Sequence, residues 1–571
     1  MVEELVRNRV TYFCITPGSR STPLTVAAAR HPEAEKAMFY DERGAAFHAL
    51  GYARATGHPA ALVCTSGTAV ANYYPAVIEA SMDHIPLIIL TADRPPELQE
   101  TGANQTIRQP HVYSDYVRWR FNLPCPDERI PLSMVLTTID QLVNMARRSP
   151  CGPVHLNCMF REPLAPTSGE ISPGCKEGIM GWKKGKSPYT TFTRPSSIPD
   201  QEAIKGIARI ISTTKKGLLV VGRLGSNEEI DAVRHFSHCL KWPVFADIAS
   251  GLRIGTSDGY LAAYFDLMLL SERIHKEIRP DAILMIGSRI TSKRFLEYVT
   301  RHPPSRFVTI ENHSERSDPT HTTAWRIEAD LVELLASLEE RIEPDPNVNW
   351  REDLLMKSKG IGGLIQAYLA DSEGLSELQI ARLISQIIPE GHGLFLGNSM
   401  PIRDMDMFSD PERQWIRIGT NRGASGIDGN IASASGFAAG LKGPATLILG
   451  DLAFIHDLNS LSILNRMDQQ VIIILINNRG GGIFSFLPIS QFPDLFEPYF
   501  GTPHEYSFEH AARLFRIPYF HPKNQDAFIR DYRAAVKGKE SAIVEVLLNR
   551  EENKRIHQDL YKKIISFLEK S

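Results

Sequence analysis

Two short polar strings, GDL at 450–452 and NN at 477–478, constrain this chain most, because each closes an apolar run. The runs TLILG (446–450) and VIIILI (471–476) are aliphatic and β-branched, as buried strands are, and Leu458, Leu461 and Leu464 recur between them at helical spacing. That is a βαβ unit. Its right-handed crossover brings both strand ends to one edge of a parallel sheet, roughly 4.8 Å apart for neighbouring strands, so Asp451 and Asn478 converge. Oxygen-bearing side chains flanked by glycines at a carboxyl edge suit a hard cation holding a diphosphate. Singly, an aspartate here caps a helix and an asparagine turns the chain. The pairing favours the cation.

The same rhythm recurs upstream. Between residues 10 and 93, TYFCIT, AMFYDE, AALVCTS and PLIILTA each lead into a turn and then a helical stretch. GLLVVG (217–222), a helix near 226–240, DAILMIG (281–287) and FVTIE (307–311) form a second series, and LFLG, TLILG, VIIILI and AIVEVLL a third. Strand–helix alternation predicts α/β domains with mainly parallel sheets and ligands at the strand carboxyl ends. The stretch 168–199, rich in Ser, Pro, Gly, Lys and Thr, reads as a linker. Three consecutive domains follow, at 1–167, 200–342 and 343–571. Only a short helical stub precedes the first strand, near Val10, and it reads as the end of a helix that starts upstream.

A length of 571 residues calls for two to four domains, and 43% hydrophobic content supplies their cores. Lys and Arg number 63 against 66 Asp and Glu, with no long block of either sign, which disfavours nucleic acid and anionic membranes and leaves small molecules. The cysteines (Cys14, Cys64, Cys125, Cys151, Cys158, Cys175, Cys239) are odd in number, contain no CxxC and stop before the second half, so neither a disulfide framework nor structural zinc is expected. Without a membrane-length apolar stretch or a signal-peptide core, a cytoplasmic protein is expected.

Gly480, in the sharp turn NNRGGG, offers a backbone carbonyl as a third metal ligand beside Asp451 and Asn478, and magnesium would draw its remaining oxygens from diphosphate and water. Glu42 closes AMFYDE and precedes a helix at Arg43. Its ordinary role is a first-turn acid helped by the helix dipole. If the diphosphate belongs to thiamine, the pyrimidine ring needs a carboxylic acid beside its nitrogen for the proton transfers that activate the thiazolium carbon, and Glu42 suits that role. The histidines are scattered singly. His155 and His456 read as buried or capping residues.

The strings PGSRSTPL (17–24), DERG (41–44), TSGTAVANYYPA (65–76), TADRPPEL (91–98), GANQTIRQP (102–110), NRGASGIDG (421–429) and GDL…NN resemble the 2-succinyl-5-enolpyruvyl-6-hydroxy-3-cyclohexene-1-carboxylate synthase family of thiamine-diphosphate enzymes. GDL…NN alone would indicate only the superfamily; PGSRSTPL, TADRPPEL and GANQ narrow it. The resemblance implies a pyrimidine-binding first domain, a central domain and a diphosphate-binding third domain. It implies thiamine diphosphate with Mg2+ or Mn2+, a homodimer or dimer of dimers, and decarboxylation of 2-oxoglutarate with addition to isochorismate in menaquinone or phylloquinone biosynthesis. Both substrates are dicarboxylates, and guanidinium groups suit carboxylates. By resemblance, Ser19, Arg20, Arg94, Asn104, Gln105, Lys293, Arg294, Ser399, Arg403 and Arg422 line the substrate pocket. Glu42, Ile427, Gly450, Asp451, Asn478, Gly480, Ile483 and Phe484 hold the cofactor, with Ile427 wedging it into a bent shape. Arg479 departs from the pattern, since a smaller polar residue commonly follows the second asparagine. Two rivals remain open: an acetohydroxyacid synthase or decarboxylase acting on pyruvate, and a catalytically silent diphosphate-binding module. The surplus of arginines argues against the first and Glu42 against the second.

Overall fold

Three sheets carry the chain. The computed structural model describes residues 1–167, 178–255, 259–371 and 374–571. The first sheet runs, edge to edge, Glu35–Met38, Tyr12–Ile15, Ala60–Cys64, Leu87–Asp93, Pro153–Met159 and Trp119–Leu123, every adjacent pair parallel. The second runs Trp325–Glu328, Arg306–Glu311, Ala282–Ile286, Gly217–Val221 and Val244–Ala246, again parallel throughout. The third runs Ile418–Thr420, Gly393–Leu396, Ala445–Gly450, Val471–Asn477, Ala542–Leu547 and Tyr519–Phe520. Numbered within its own sheet, each six-stranded sheet has the order 2-1-3-4-6-5. The first and third sheets thus share one topology, with a switch point between their strands 1 and 3, where open α/β sheets bind ligands.

The central strands follow from their sequences. All seven residues of Val471–Asn477 and of Leu87–Asp93 are buried, and each such Val, Leu or Ile contributes about 1.5–3 kcal/mol on leaving water. Two strands without a long apolar run, Trp119–Leu123 and Pro153–Met159, complete the first sheet. The strand expected through AMFYDE is shorter and earlier: it covers Glu35–Met38, and Asp41 caps the following helix Glu42–Thr56 by accepting the Arg43 amide at 2.9 Å. One more ladder bond, from the Phe39 amide to the Ile15 carbonyl at 3.0 Å, follows the strand before the chain reaches exposed Tyr40. The helix expected from Leu458, Leu461 and Leu464 is broken into Asp451–His456, a 3-10 turn at Leu458–Ser460 and Leu461–Leu464. Of the expected linker, residues 168–177 lie outside the described residues, and 178–199 hold one short helix, Met180–Lys184.

By contacts the chain forms two units. One comprises Met1–Pro195, Asn421–Ala445 and Ala453–Val471; the other comprises Ser196–Thr420, Thr446–Leu452 and Ile472–Ser571. Within the first, helix Glu42–Thr56 packs on helix Asn430–Leu441 through glycines. A Cβ on Gly51 would stand 2.0 Å from the Ser433 carbonyl oxygen, and one on Gly436 would stand 1.8 Å from that of His48. His48 crosses the seam, with Nδ1 2.7 Å from Ser435 Oγ and Nε2 2.9 Å from the Tyr12 hydroxyl. No helix among the described residues is long and apolar enough to cross a membrane.

His155 is buried in the first sheet, with Nε2 2.7 Å from Thr91 Oγ1, whereas His456 is exposed and its carbonyl accepts from Arg43 at 2.8 Å. Burial pushes His48 and His155 each down to about 3. In the unfolded chain they protonate near ~6.5, so their contribution is fully present above that pH and declines as pH falls toward the folded value. Denaturant unfolding at about pH 7 and about pH 5.5 is expected to show a loss of about 1.3 kcal/mol per histidine over the whole interval, since the limiting slope of about 1.4 kcal/mol per pH unit is reached only below the unfolded value. His155→Gln should remove one share of that slope, and an unchanged slope would contradict the assignment.

Candidate active site

The ends of strands Ala445–Gly450 and Val471–Asn477 meet through one hydrogen bond. The Gly480 amide donates to Asp451 Oδ2 at 2.9 Å, while Oδ1 accepts the Leu452 amide at 2.6 Å. Asp451 opens helix Asp451–His456 and is buried. Burial raises its pKa, opposed by the Gly480 amide and by His504, whose Nε2 lies 3.2 Å from Oδ2 but outside hydrogen-bond alignment. Gly480 has φ +141°, and a Cβ there would lie 2.0 Å from the Gly501 carbonyl oxygen, so only glycine fits. Its own carbonyl accepts the Gly482 amide at 2.9 Å, which occupies one of two lone pairs.

The two asparagines divide the work. Asn477 donates to Glu545 Oε1 at 2.6 Å and accepts the Arg479 amide at 3.1 Å, which fixes the turn. Asn478 donates its Nδ2 to Glu377 Oε1 at 3.0 Å, and its Oδ1 is buried without a hydrogen-bond partner. A buried carbonyl oxygen left unsatisfied beside a carboxylate is the donor set of a hard cation. Glu377 is fully enclosed, and burial together with the like charge of Asp404 pushes its carboxyl well above the usual range. A cavity of about 730 Å³ adjoins Asn478, with Arg479, His504 and Arg550 on its wall. At Gly450 nothing stands within 4 Å of where a Cβ would be, which leaves open space beside Asp451. Ile483 and Phe484 lie half-buried in the 3-10 turn Gly482–Phe486, the Phe484 ring edge-on to Phe500 at 5.8 Å.

In the other unit, Arg20 and Arg94 follow strands 1 and 4 of the first sheet. Arg20 is buried, donates to the Phe160 carbonyl at 2.8 Å, and keeps its Nε unpartnered. Arg94 donates to Ser66 Oγ at 2.8 Å; burial and the nearby Arg20 charge lower its pKa. Arg20 also faces Glu162, its Nη2 3.6 Å from Oε1. Glu42 is half-buried at the first position of its helix, and Ser19, Asn104 and Gln105 are exposed. Gln109, not among the expected site residues, ties the GANQ loop down: it donates to the Ala92 carbonyl (2.9 Å) and Asn157 Oδ1 (2.7 Å), and accepts the Gly67 amide (3.2 Å).

The glycine-rich loop at 421–429 is held by another unforeseen residue. Buried Glu79 accepts the amides of Gly423 (2.7 Å), Ala424 (2.6 Å) and Ser425 (3.3 Å). Ile427 projects from that loop 37% exposed, and Arg422 is half-buried on it. Ser399 follows strand 1 of the third sheet at φ +73°, and its carbonyl accepts from Arg403 at 2.5 Å. Gln105 (+55°) and Arg479 (+60°) share this left-handed region, where non-glycine residues are costly and cluster at functional sites. Lys293 instead faces solvent and pairs with Glu297 at 3.2 Å. Arg294 pairs with Asp266 and stands over the Tyr561 ring at 5.0 Å.

Comparison with known proteins agrees with this geometry. The chain matches the N-terminal TPP binding domain of thiamine pyrophosphate enzymes over residues 1–112, the middle domain over 175–396 and the C-terminal TPP binding domain over 404–546. The 2-succinyl-5-enolpyruvyl-6-hydroxy-3-cyclohexene-1-carboxylate synthase of Rubrobacter xylanophilus is 45% identical over 560 residues, covering 98% of this chain and 96% of the relative. The synthase of Salinibacter ruber is 44% identical over 562 residues, with coverage of 98% and 95%. The solved benzoylformate decarboxylase of Polynucleobacter necessarius superposes with a TM-score of 0.73 over 96% of this chain and 97% of that one, at 16% identity, a likeness of fold. The chain belongs to the 2-succinyl-5-enolpyruvyl-6-hydroxy-3-cyclohexene-1-carboxylate synthase family of thiamine-diphosphate-dependent enzymes.

Proposed function

We propose that this chain decarboxylates 2-oxoglutarate and adds the remaining four-carbon unit 1,4 to isochorismate, releasing carbon dioxide and forming 2-succinyl-5-enolpyruvyl-6-hydroxy-3-cyclohexene-1-carboxylate. Thiamine diphosphate, when bound, supplies the carbon centre on which a 2-oxoacid loses its carboxylate. Asp451, Asn478 and the Gly480 carbonyl hold Mg2+ or Mn2+ on the diphosphate. The single observation behind this is the buried, unpartnered Oδ1 of Asn478, in the turn whose Gly480 amide is bonded to the enclosed Asp451 carboxylate. All three donors are oxygen, which favours magnesium or manganese over softer metals.

Glu42 holds a proton beside the pyrimidine nitrogen. Arg20 and Arg94 orient substrate carboxylates, and Ser19, Asn104, Gln105, Lys293, Arg294, Ser399, Arg403 and Arg422 are further substrate-binding residues, Lys293 and Arg294 being paired with Glu297 and Asp266 in this structure. Ile427, Ile483 and Phe484 shape the cofactor's apolar wall. The working assembly is a homodimer or dimer of dimers. A pyruvate-directed enzyme is not favoured: relatives covering nearly the whole chain carry the synthase name, and pyruvate gives two guanidinium groups only one carboxylate.

Purified protein with thiamine diphosphate, Mg2+, 2-oxoglutarate and isochorismate is expected to consume isochorismate and release carbon dioxide in equal amounts. Turnover with pyruvate in place of 2-oxoglutarate would overturn the substrate assignment. Glu42→Gln should fold normally yet lose on the order of 10²- to 10⁴-fold in kcat, the range of positioned acid–base groups. Wild-type turnover in that variant would contradict Glu42's role. Dialysis against a chelator should abolish activity and added Mg2+ restore it; activity surviving metal removal would contradict the metal site.

A further inference from the structure

Metal ligands need their lone pairs aimed, and an asparagine has two faces to choose between. Asn478 presents either Oδ1, which binds a cation, or Nδ2, which repels one. Glu377 decides which. It opens helix Glu377–Ile387, is 1% exposed, and its Oε1 accepts Nδ2 of Asn478 at 3.0 Å. Turning the amide over would set Oδ1 against a carboxyl oxygen. The amide has little other room, since a Cβ on Gly482 would already stand 2.5 Å from Nδ2.

Glu377 is itself backed by a buried chain of polar groups. Its Oε2 and Asp404 Oδ2 are both enclosed without a hydrogen-bond donor, while Asp404 Oδ1 lies 2.9 Å from Nε2 of His557. His557, fully buried, donates from Nδ1 to the Asn553 carbonyl at 2.9 Å within the carboxyl-terminal helix Arg550–Lys570. Three buried side chains from three segments, Glu377, Asp404 and His557, thus stand behind one amide. So much buried polarity, in a position an apolar residue could fill, is costly unless it orients something.

We propose that Glu377 is the positioning residue of the metal site: by holding the NH2 of Asn478 it presents Oδ1 to the cation. This rests on the reading of Asn478 as a metal ligand. Residues supporting a ligand in this way typically cost about 10- to 100-fold in metal affinity when removed.

The test is Mn2+ binding, followed by loss of the free-ion EPR signal, with thiamine diphosphate present and no substrate. Glu377→Gln keeps an acceptor for Asn478 and should bind within about threefold of wild type, whereas Glu377→Met should bind about 10- to 100-fold more weakly. The unfolding midpoint of ligand-free Glu377→Met should be unchanged or higher, because an apolar side chain of similar length replaces a buried carboxyl. A purely structural role would lower both. Asn478→Asp adds a negative charge to a cation site, yet should lose about tenfold or more because it confronts Glu377, and the swap Glu377→Gln with Asn478→Asp should recover binding.

Wild-type affinity in Glu377→Met, or a double variant no tighter than Asn478→Asp, overturns the proposal. Should Glu377→Met not fold, the swap decides alone. Asn478→Ala separates the two claims. If it binds Mn2+ like wild type, the ligand reading fails; if it loses binding while Glu377→Met does not, only the positioning role fails.

Discussion

The hydrogen bond from the Gly480 amide to Asp451 Oδ2 joins the ends of two neighbouring strands, and the site is organised around it. It works because Gly480 alone tolerates φ +141° under the Gly501 carbonyl, which lets the chain after Asn478 double back onto the aspartate. Burial raises the Asp451 carboxyl, so the ionised form depends on donors such as this amide. Fold and chemistry are coupled at that point. The parallel sheet supplies two adjacent carboxyl ends, glycine supplies the turn, and the polar residues left at the edge bind what neither strand can satisfy.

The repeated strand order 2-1-3-4-6-5 gives that arrangement a counterpart. In the third sheet the segments after strands 1, 3 and 4 carry Ser399, Asp451 and Asn478. In the first sheet the same positions carry Ser19 with Arg20, Ser66 and Arg94. One topology thus carries an edge with a buried carboxylate, Asp451, and an edge with two guanidinium groups, Arg20 and Arg94. The difference lies in a handful of residues beyond the strands. Arg20 and Arg94 are held by the Phe160 carbonyl and Ser66, much as Asp451 is held by amides.

What the sequence made legible was whatever leaves a local mark. Long apolar runs gave the central strands, and GDL…NN, PGSRS and TADRPP gave the loops at their ends. Strand Pro153–Met159 escaped because it starts with proline and carries His155 and Asn157 inside a buried sheet. Those polar groups are satisfied by Thr91, Asn122 and Gln109, which only the fold brings near. Edge strands such as Tyr519–Phe520 and Val244–Ala246 are too short for any periodicity. The second layer of the site was illegible for the same reason. Glu377 lies 101 residues from Asn478 in the chain, and Glu79 lies 344 from Gly423, so neither belongs to a motif. Lys293 and Arg294 were named by resemblance, and the geometry gives them partners, Glu297 and Asp266, that motif matching does not weigh.

The central claim is that Asp451, Asn478 and Gly480 together hold a divalent cation on a diphosphate. A crystal grown with thiamine diphosphate and Mn2+, measured at a wavelength where manganese scatters anomalously, tests it most directly. The account predicts one anomalous peak within about 2.1–2.3 Å of an Asp451 carboxylate oxygen, Asn478 Oδ1 and the Gly480 carbonyl oxygen, with diphosphate oxygens completing the shell. A peak bound elsewhere, or Asn478 turned with Nδ2 toward the metal, would contradict it.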